Sequence, residues 1–100
     1  MYEVNVEIGR EHEREYRRWL TAHVAQIAAL PGFLGAQVLE VLQDEDTGAG
    51  RLALSVRYRL RDRAALEDYL REHAARLRAD GASRFPDMRA WRRVLAEPAD

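Results

Sequence analysis

Two histidines sit where apolar residues would be expected. His23 lies in the middle of the stripe Tyr16, Trp19, Leu20, Val24, Ile27 and Leu30, and His73 lies in the middle of Leu66, Tyr69, Leu70 and Leu77. Three-and-four spacing of this kind marks the buried face of an amphipathic helix, so both imidazoles are expected to face the interior. A side chain that changes charge near neutral pH is suited to accept and return a proton. The functional reading makes His23 and His73 a general base and its partner, with Trp19, Tyr58 and Tyr69 as an aromatic wall and Arg92 as an anion anchor. The structural reading makes each imidazole a buried group bonded to a tyrosine hydroxyl or a carbonyl, and the aromatics ordinary core.

Other chemistries find less support. His23 and His73 belong to different helices, and neither an H-x-x-x-H pattern nor a carboxylate on the apolar face completes a ligand set, so no metal site and no cofactor are expected. His12 lies about three turns before His23 and reads as surface. Ser55 and Ser83 have no base at useful spacing. The chain has no cysteine, which removes thiolate chemistry and disulfides, and its 16 basic residues are all arginine, which removes a lysine Schiff base.

The elements that must position these residues follow from periodicity. Tyr2, Val4, Val6 and Ile8 alternate with Glu3, Asn5 and Glu7, the pattern of a half-buried strand. A helix follows, with Gly9 at its start, and Leu30-Pro31-Gly32 ends it. Phe33 to Leu42 reads as a strand with apolar residues on both faces, and Asp44 to Gly50 is a polar connection to a strand over Leu52–Leu60. Asp62 is a good N-cap for a second helix that Gly81 would end, and Met88 to Leu95 is the last strand.

The two halves match at a constant offset of about fifty residues: Tyr2 with Leu52, Val6 with Val56, Tyr16 with Leu66, Trp19 with Tyr69, His23 with His73 and Ile27 with Leu77. Two equivalent βαβ units predict an α+β, ferredoxin-like βαββαβ domain over residues 1–96. Its four-stranded antiparallel sheet has the order 4-1-3-2, and residues 97–100 form a flexible tail. The face away from the helices then carries Glu3, Asn5 and Glu7 beside Arg51, Arg57 and Arg59. Leu39, Val41, Trp91 and Leu95 fall near its margins. A polar centre with apolar margins predicts an interface, and a second copy of the chain is the expected partner.

Composition sets the outer bounds. One hundred residues, 47% of them hydrophobic, are enough for a single core. No apolar run approaches a bilayer span, and the formal net charge of −1 offers no surplus for phosphate backbone, so neither membrane nor nucleic acid is expected as a partner. No signal-like segment precedes the first strand, so a cytoplasmic location is expected.

These residues also carry a resemblance. The strand with Asn5, the Tyr16-x-x-Trp19-Leu20 helix and the Leu30-Pro31-Gly32-Phe33-Leu34-Gly35 junction resemble the dimeric α+β barrel superfamily, whose best-known branch is antibiotic-biosynthesis-monooxygenase-like. Within it the chain is most similar to a bacterial domain-of-unknown-function family, number 4286, through Tyr69-Leu70-x-Glu72-His73-Ala74-x-Arg76-Leu77, Gly81 and Arg84-Phe85. The resemblance implies two sheets packed face to face in a homodimeric barrel, with a cavity between sheet and helices in each subunit. Asn5 is similar to an asparagine used by cofactor-free monooxygenases of that fold, but its alternation places it away from the histidines. Three functional readings stay open: a module that binds a small aromatic or carboxylated molecule, a cofactor-free monooxygenase or isomerase, and an interaction module without ligand.

Overall fold

In the computed structural model, which describes residues 1–45 and 50–98, the elements run β1 (Tyr2–Gly9), a 3₁₀ turn (Arg10–His12), α1 (Glu13–Ala28), β2 (Phe33–Glu40), β3 (Arg51–Leu60), α2 (Arg63–Glu72), α3 (Ala74–Arg84) and β4 (Arg89–Val94). The sheet is antiparallel in the order β2-β3-β1-β4, which is 4-1-3-2 read from the other edge. Residues 46–49 of the polar connection and 99–100 of the tail lie outside the described residues.

The alternation of β1 decides which residues meet. Its even-numbered positions join the core, where Tyr2, Val6 and Ile8 are buried with Leu52, Leu54, Val56 and Tyr58 of β3 beneath the helices. The sheet rows on this side include Val38, Val56, Val4 and Arg92, which places an arginine on the face that packs against α1, α2 and α3.

The odd-numbered positions make the opposite face. One row there reads Leu39, Ser55, Asn5, Trp91, and the next reads Gln37, Arg57, Glu3, Arg93. Glu3 is only 1% exposed although no element covers it, because the guanidinium groups of Arg93 (2.6 Å) and Arg57 (3.2 Å) close over its carboxylate. The Arg93 hydrogen bond, more than any other contact, holds the Glu3 carboxyl below its ordinary range. Beside it the buried Ser55 hydroxyl has no partner among the described residues, while Trp91 stands 38% exposed with the Arg89 guanidinium 4.9 Å from its ring.

Local signals account for most of the joints. The Asp62 carboxylate accepts the Ala65 backbone N–H at 2.9 Å, the N-cap that starts α2. Gly32 takes a φ of 86°, a left-handed conformation that lets the chain turn out of α1, and its carbonyl accepts the Arg61 N–H at 2.8 Å. Arg17 on α1 bridges Glu13 and Glu40, tying the helix to the edge strand β2.

Three expectations need correction. The second helix is two helices, because the backbone leaves helical geometry at His73 (φ −127°, ψ −32°). Gly81 does not end it: α3 continues to Arg84, and a Cβ at Gly81 would stand 2.8 Å from the Trp19 ring, so this glycine makes room for the indole. Leu70, counted in the apolar stripe, is 41% exposed, because α2 turns the face of Ala65, Leu66 and Tyr69 to the core and Leu70 falls at its edge.

Candidate functional site

α1, α3 and the sheet line a half-open cavity of about 40 Å³. Space of this kind holds about three waters, so the interior is not packed solid there. Val4, Val6, Ala90 and Arg92 rise into it from the sheet, Tyr16, Trp19 and His23 descend from α1, and Leu77, Arg78 and Gly81 close it from α3. Tyr58 and Tyr69 complete the wall.

Of the residues named from the sequence, the structure brings together His23, Trp19, Tyr58, Tyr69 and Arg92. It leaves His73 outside. That imidazole borders a separate groove with Leu30, Pro31 and Arg61, 3.2 Å from the Arg76 guanidinium through Nδ1. Tyr69 lines both spaces and stands between the histidines, with its ring centroid 6.4 Å from that of His73. The pairing of His23 and His73 across one pocket is therefore not what the structure shows: the helix break turns His73 outward, so equivalent positions in the two halves meet different surroundings.

The chemistry of the cavity centres on two groups. His23 stacks on Trp19 with centroids 4.3 Å apart, and among the described residues neither of its ring nitrogens has a hydrogen-bond partner. Burial lowers its pKa below the ordinary 6.5, the Arg92 charge lowers it further, and Asp80 opposes the shift. The ring is thus neutral at physiological pH and free to accept a proton. Arg92 has no ion pair among the described residues, yet it faces the core side of the sheet, and its charge is felt by Tyr16, His23, Tyr58 and Tyr69 alike. A partly buried guanidinium without a carboxylate keeps its donors available for charge-assisted hydrogen bonds.

The tyrosines divide by partner. Tyr16 donates to the Met88 sulfur at 3.2 Å, and Tyr2 accepts from Arg78 at 2.9 Å. The hydroxyls of Tyr58 and Tyr69 have no partner among the described residues, although both rings are buried. Burial raises the pKa of both phenols, which keeps them protonated and able to donate. At the rim the Trp19 indole N–H donates to Asp80 at 3.1 Å, and Asp80 also accepts from Arg84 at 3.0 Å, the contact that does most to hold its carboxyl low.

Tyr2, Arg78 and Asp80 were not singled out from the sequence as site residues. Tyr2 is the first core position of β1, and Arg78 and Asp80 sit on the polar side of the Leu77 stripe, so no local pattern separates them from solvated surface. Their roles arise from how α3 lies across the sheet. Among the described residues the group able to hold a metal ion is Glu11, His12 and Asp87, beyond the end of β1.

This architecture can be compared with known proteins. A family profile described as a domain of unknown function (DUF4286) matches residues 1–97. The chain belongs to the DUF4286 family. No curated protein matches it. Among solved structures, this DUF4286 chain is similar to a candidate antibiotic biosynthesis monooxygenase from Deinococcus radiodurans at 15% identity and a TM-score of 0.61, covering 100% of this chain and 97% of that one. It is also similar to an ethyl tert-butyl ether d (ethd) family protein from Bacillus halodurans at 10% identity and a TM-score of 0.61, covering 96% and 99%. A de novo designed protein, Foldit4, matches at 13% identity and a TM-score of 0.59, covering 97% and 96%. Likeness at these identities establishes a shared α+β fold, and the presence of a designed protein in that company underlines that the fold alone carries no activity.

The electrostatics of the DUF4286 cavity can be read by nuclear magnetic resonance. His23 is expected to titrate below 6.5, the ordinary histidine value. Arg92→Met should raise its midpoint and Asp80→Asn should lower it further. A wild-type midpoint at or above the ordinary value would contradict the placement of His23 in a desolvated site.

Proposed function

We propose that the DUF4286 chain binds a small aromatic or carboxylated molecule between helices and sheet, with Arg92 taking its anionic group. The observation that carries this reading is the unpaired Arg92 guanidinium inside a cavity walled by aromatic rings. Burying a cation without a counter-charge is costly, and a ligand carboxylate offsets that cost through charge-assisted hydrogen bonds. The free hydroxyls of Tyr58 and Tyr69 are positioned to donate as well, and Trp19 supplies an apolar surface for a ring. His73 enters this reading only through Tyr69, against which it stacks.

The same reading includes a homodimer, formed through the sheet face that carries Leu39, Val41 and Trp91, and a cytoplasmic location. Support for the dimer comes from an unpartnered Ser55 hydroxyl and an exposed Trp91 on one row, flanked by a Glu3 carboxylate already paired within the subunit. Leu95, expected at the end of that surface, follows β4 and borders a groove with Leu60 and Leu66, exchanging backbone hydrogen bonds with Met1 at 2.8 Å. Among the described residues no helix is long and apolar enough to cross a membrane.

Catalysis is the second reading, favoured by one observation: a neutral imidazole and an unpaired guanidinium share the cavity. A cofactor-free monooxygenase or an isomerase begins by taking a proton from its substrate, and His23 would accept it while Arg92 stabilises the resulting anion.

Three measurements test these statements. In titration calorimetry with benzoate, phenylacetate and salicylate, at least one anion should bind, neutral benzamide should not, and Arg92→Met should weaken binding by about tenfold or more; no binding of any of the anions, or equal binding by the variant, rejects the ligand reading. Sedimentation should give the mass of two subunits for the wild type and of one for Trp91→Asp combined with Leu39→Asp. A wild type that sediments as one subunit at high concentration rejects the dimer. For catalysis, oxygen uptake with a naphthalene quinol should fall at least about a hundredfold in His23→Ala, and uptake that ignores this substitution rejects His23 as the base.

A further inference from the structure

Beyond the cavity, a second constellation has the makings of a site. Glu11, His12 and Asp87 come from opposite ends of the chain, and the antiparallel β1–β4 pairing brings them together, since Glu7 lies opposite Arg89 and the two strands leave the sheet side by side. One ligand atom from each of the three side chains lies within 4.8 Å of the others. An imidazole nitrogen with two carboxylate oxygens is the donor set that borderline divalent metals take, whereas magnesium and calcium favour oxygen alone.

Gly9 organises the cluster in two ways. Its N–H donates to Asp87 Oδ2 at 2.9 Å, which fixes that carboxylate. Its missing side chain leaves the space that the Glu11 carboxylate occupies, for a Cβ there would stand 2.6 Å from Glu11 Oε2. The Glu11 carboxylate in turn lies 3.6 Å from His12 Nε2. Like-charged carboxylates drawn to one spot repel unless a cation joins them, and the cation at hand serves only one of the two. Arg51 donates to Asp87 Oδ2 at 2.9 Å and also pairs with Glu7 at 3.1 Å, and it makes no ion pair with Glu11 among the described residues. Both contacts to Asp87 fall on Oδ2, which leaves Oδ1 as the oxygen to coordinate.

From this geometry we propose that Glu11, His12 and Asp87 bind one divalent transition-metal ion, with Zn²⁺ as the reference and an open position for water. Tetrahedral zinc with bonds of about 2.1 Å needs ligand atoms about 3.4 Å apart. The required closure is within reach of side-chain rotation, since the Glu11, His12 and Asp87 side chains are 71%, 41% and 44% exposed. The ion would cross-link the turn after β1 to the approach to β4, next to Met88 at the cavity edge.

Zinc titration of the full chain, followed by calorimetry, should show one saturable equivalent. His12→Ala should weaken it by about tenfold or more, a loss typical of disturbed metal coordination. Gly9→Ala should weaken it too; its φ of −59° and ψ of 140° suit alanine, so the loss would come from the displaced Glu11 carboxylate and not from the backbone. Nickel added to the labelled protein should broaden the His12 ring signals and leave those of His23 and His73 sharp. No saturable uptake, affinity unchanged by His12→Ala, or broadening centred on another histidine overturns the proposal.

Discussion

The parity of β1 is the constraint on which everything else rests. Every second residue of this central strand lies under the helices and every other one faces away, so a one-residue slip would drive Glu3 and Glu7 into the core and expose Tyr2, Val6 and Ile8. The β3 pairing enforces it from one side, setting Val4 against Val56 and Glu3 against Arg57. From the other side β4 repeats the logic, setting Val4 against Arg92 and Glu3 against Arg93. Adjacent arginines of one strand thus receive opposite fates: Arg93 meets a carboxylate on the open face, and Arg92 meets a cavity.

That asymmetry is chemical as well as geometric. Glu3 is saturated by its two guanidinium partners, which leaves one positive charge over at the sheet surface between the Leu39 and Trp91 margins. On the helix side the balance is left open. His23 is kept neutral by burial and by the Arg92 charge, the Tyr58 and Tyr69 phenols are kept protonated by burial, and Arg92 itself is left without a counter-ion among the described residues. Each of these groups favours a negative visitor.

Much of this was legible in the residues themselves. Alternation in β1 and β3 gave the sheet faces, the fifty-residue offset gave the order of strands, and the same parity placed Leu39, Val41 and Trp91 on one face and Arg92 on the other. The His73 break was not legible, because Leu66, Tyr69, His73 and Leu77 keep helical spacing straight through it and no proline or glycine marks the spot. Gly81 misled for a related reason: a glycine near the end of a helical pattern signals a cap, whereas here the indole of Trp19, sixty-two positions earlier, needs its bare Cα. Glu11, His12 and Asp87 could not have been grouped either, since only the β1–β4 register brings residue 87 beside residue 11.

The interruption at His73 has a mechanical meaning for the cavity. α3 supplies Leu77, Arg78 and Gly81 as its roof, and α3 is joined to α2 through a single non-helical residue bridged by the His73-to-Tyr69 and Leu77-to-His73 backbone hydrogen bonds. Its underside is anchored in the core through Ala74 and Leu77, and on its outer side Asp80 accepts the Trp19 indole N–H. The kink thus lets one continuously hydrogen-bonded segment change direction between α2 and α3, and it sets the slope at which Leu77, Arg78 and Gly81 lie over the cavity.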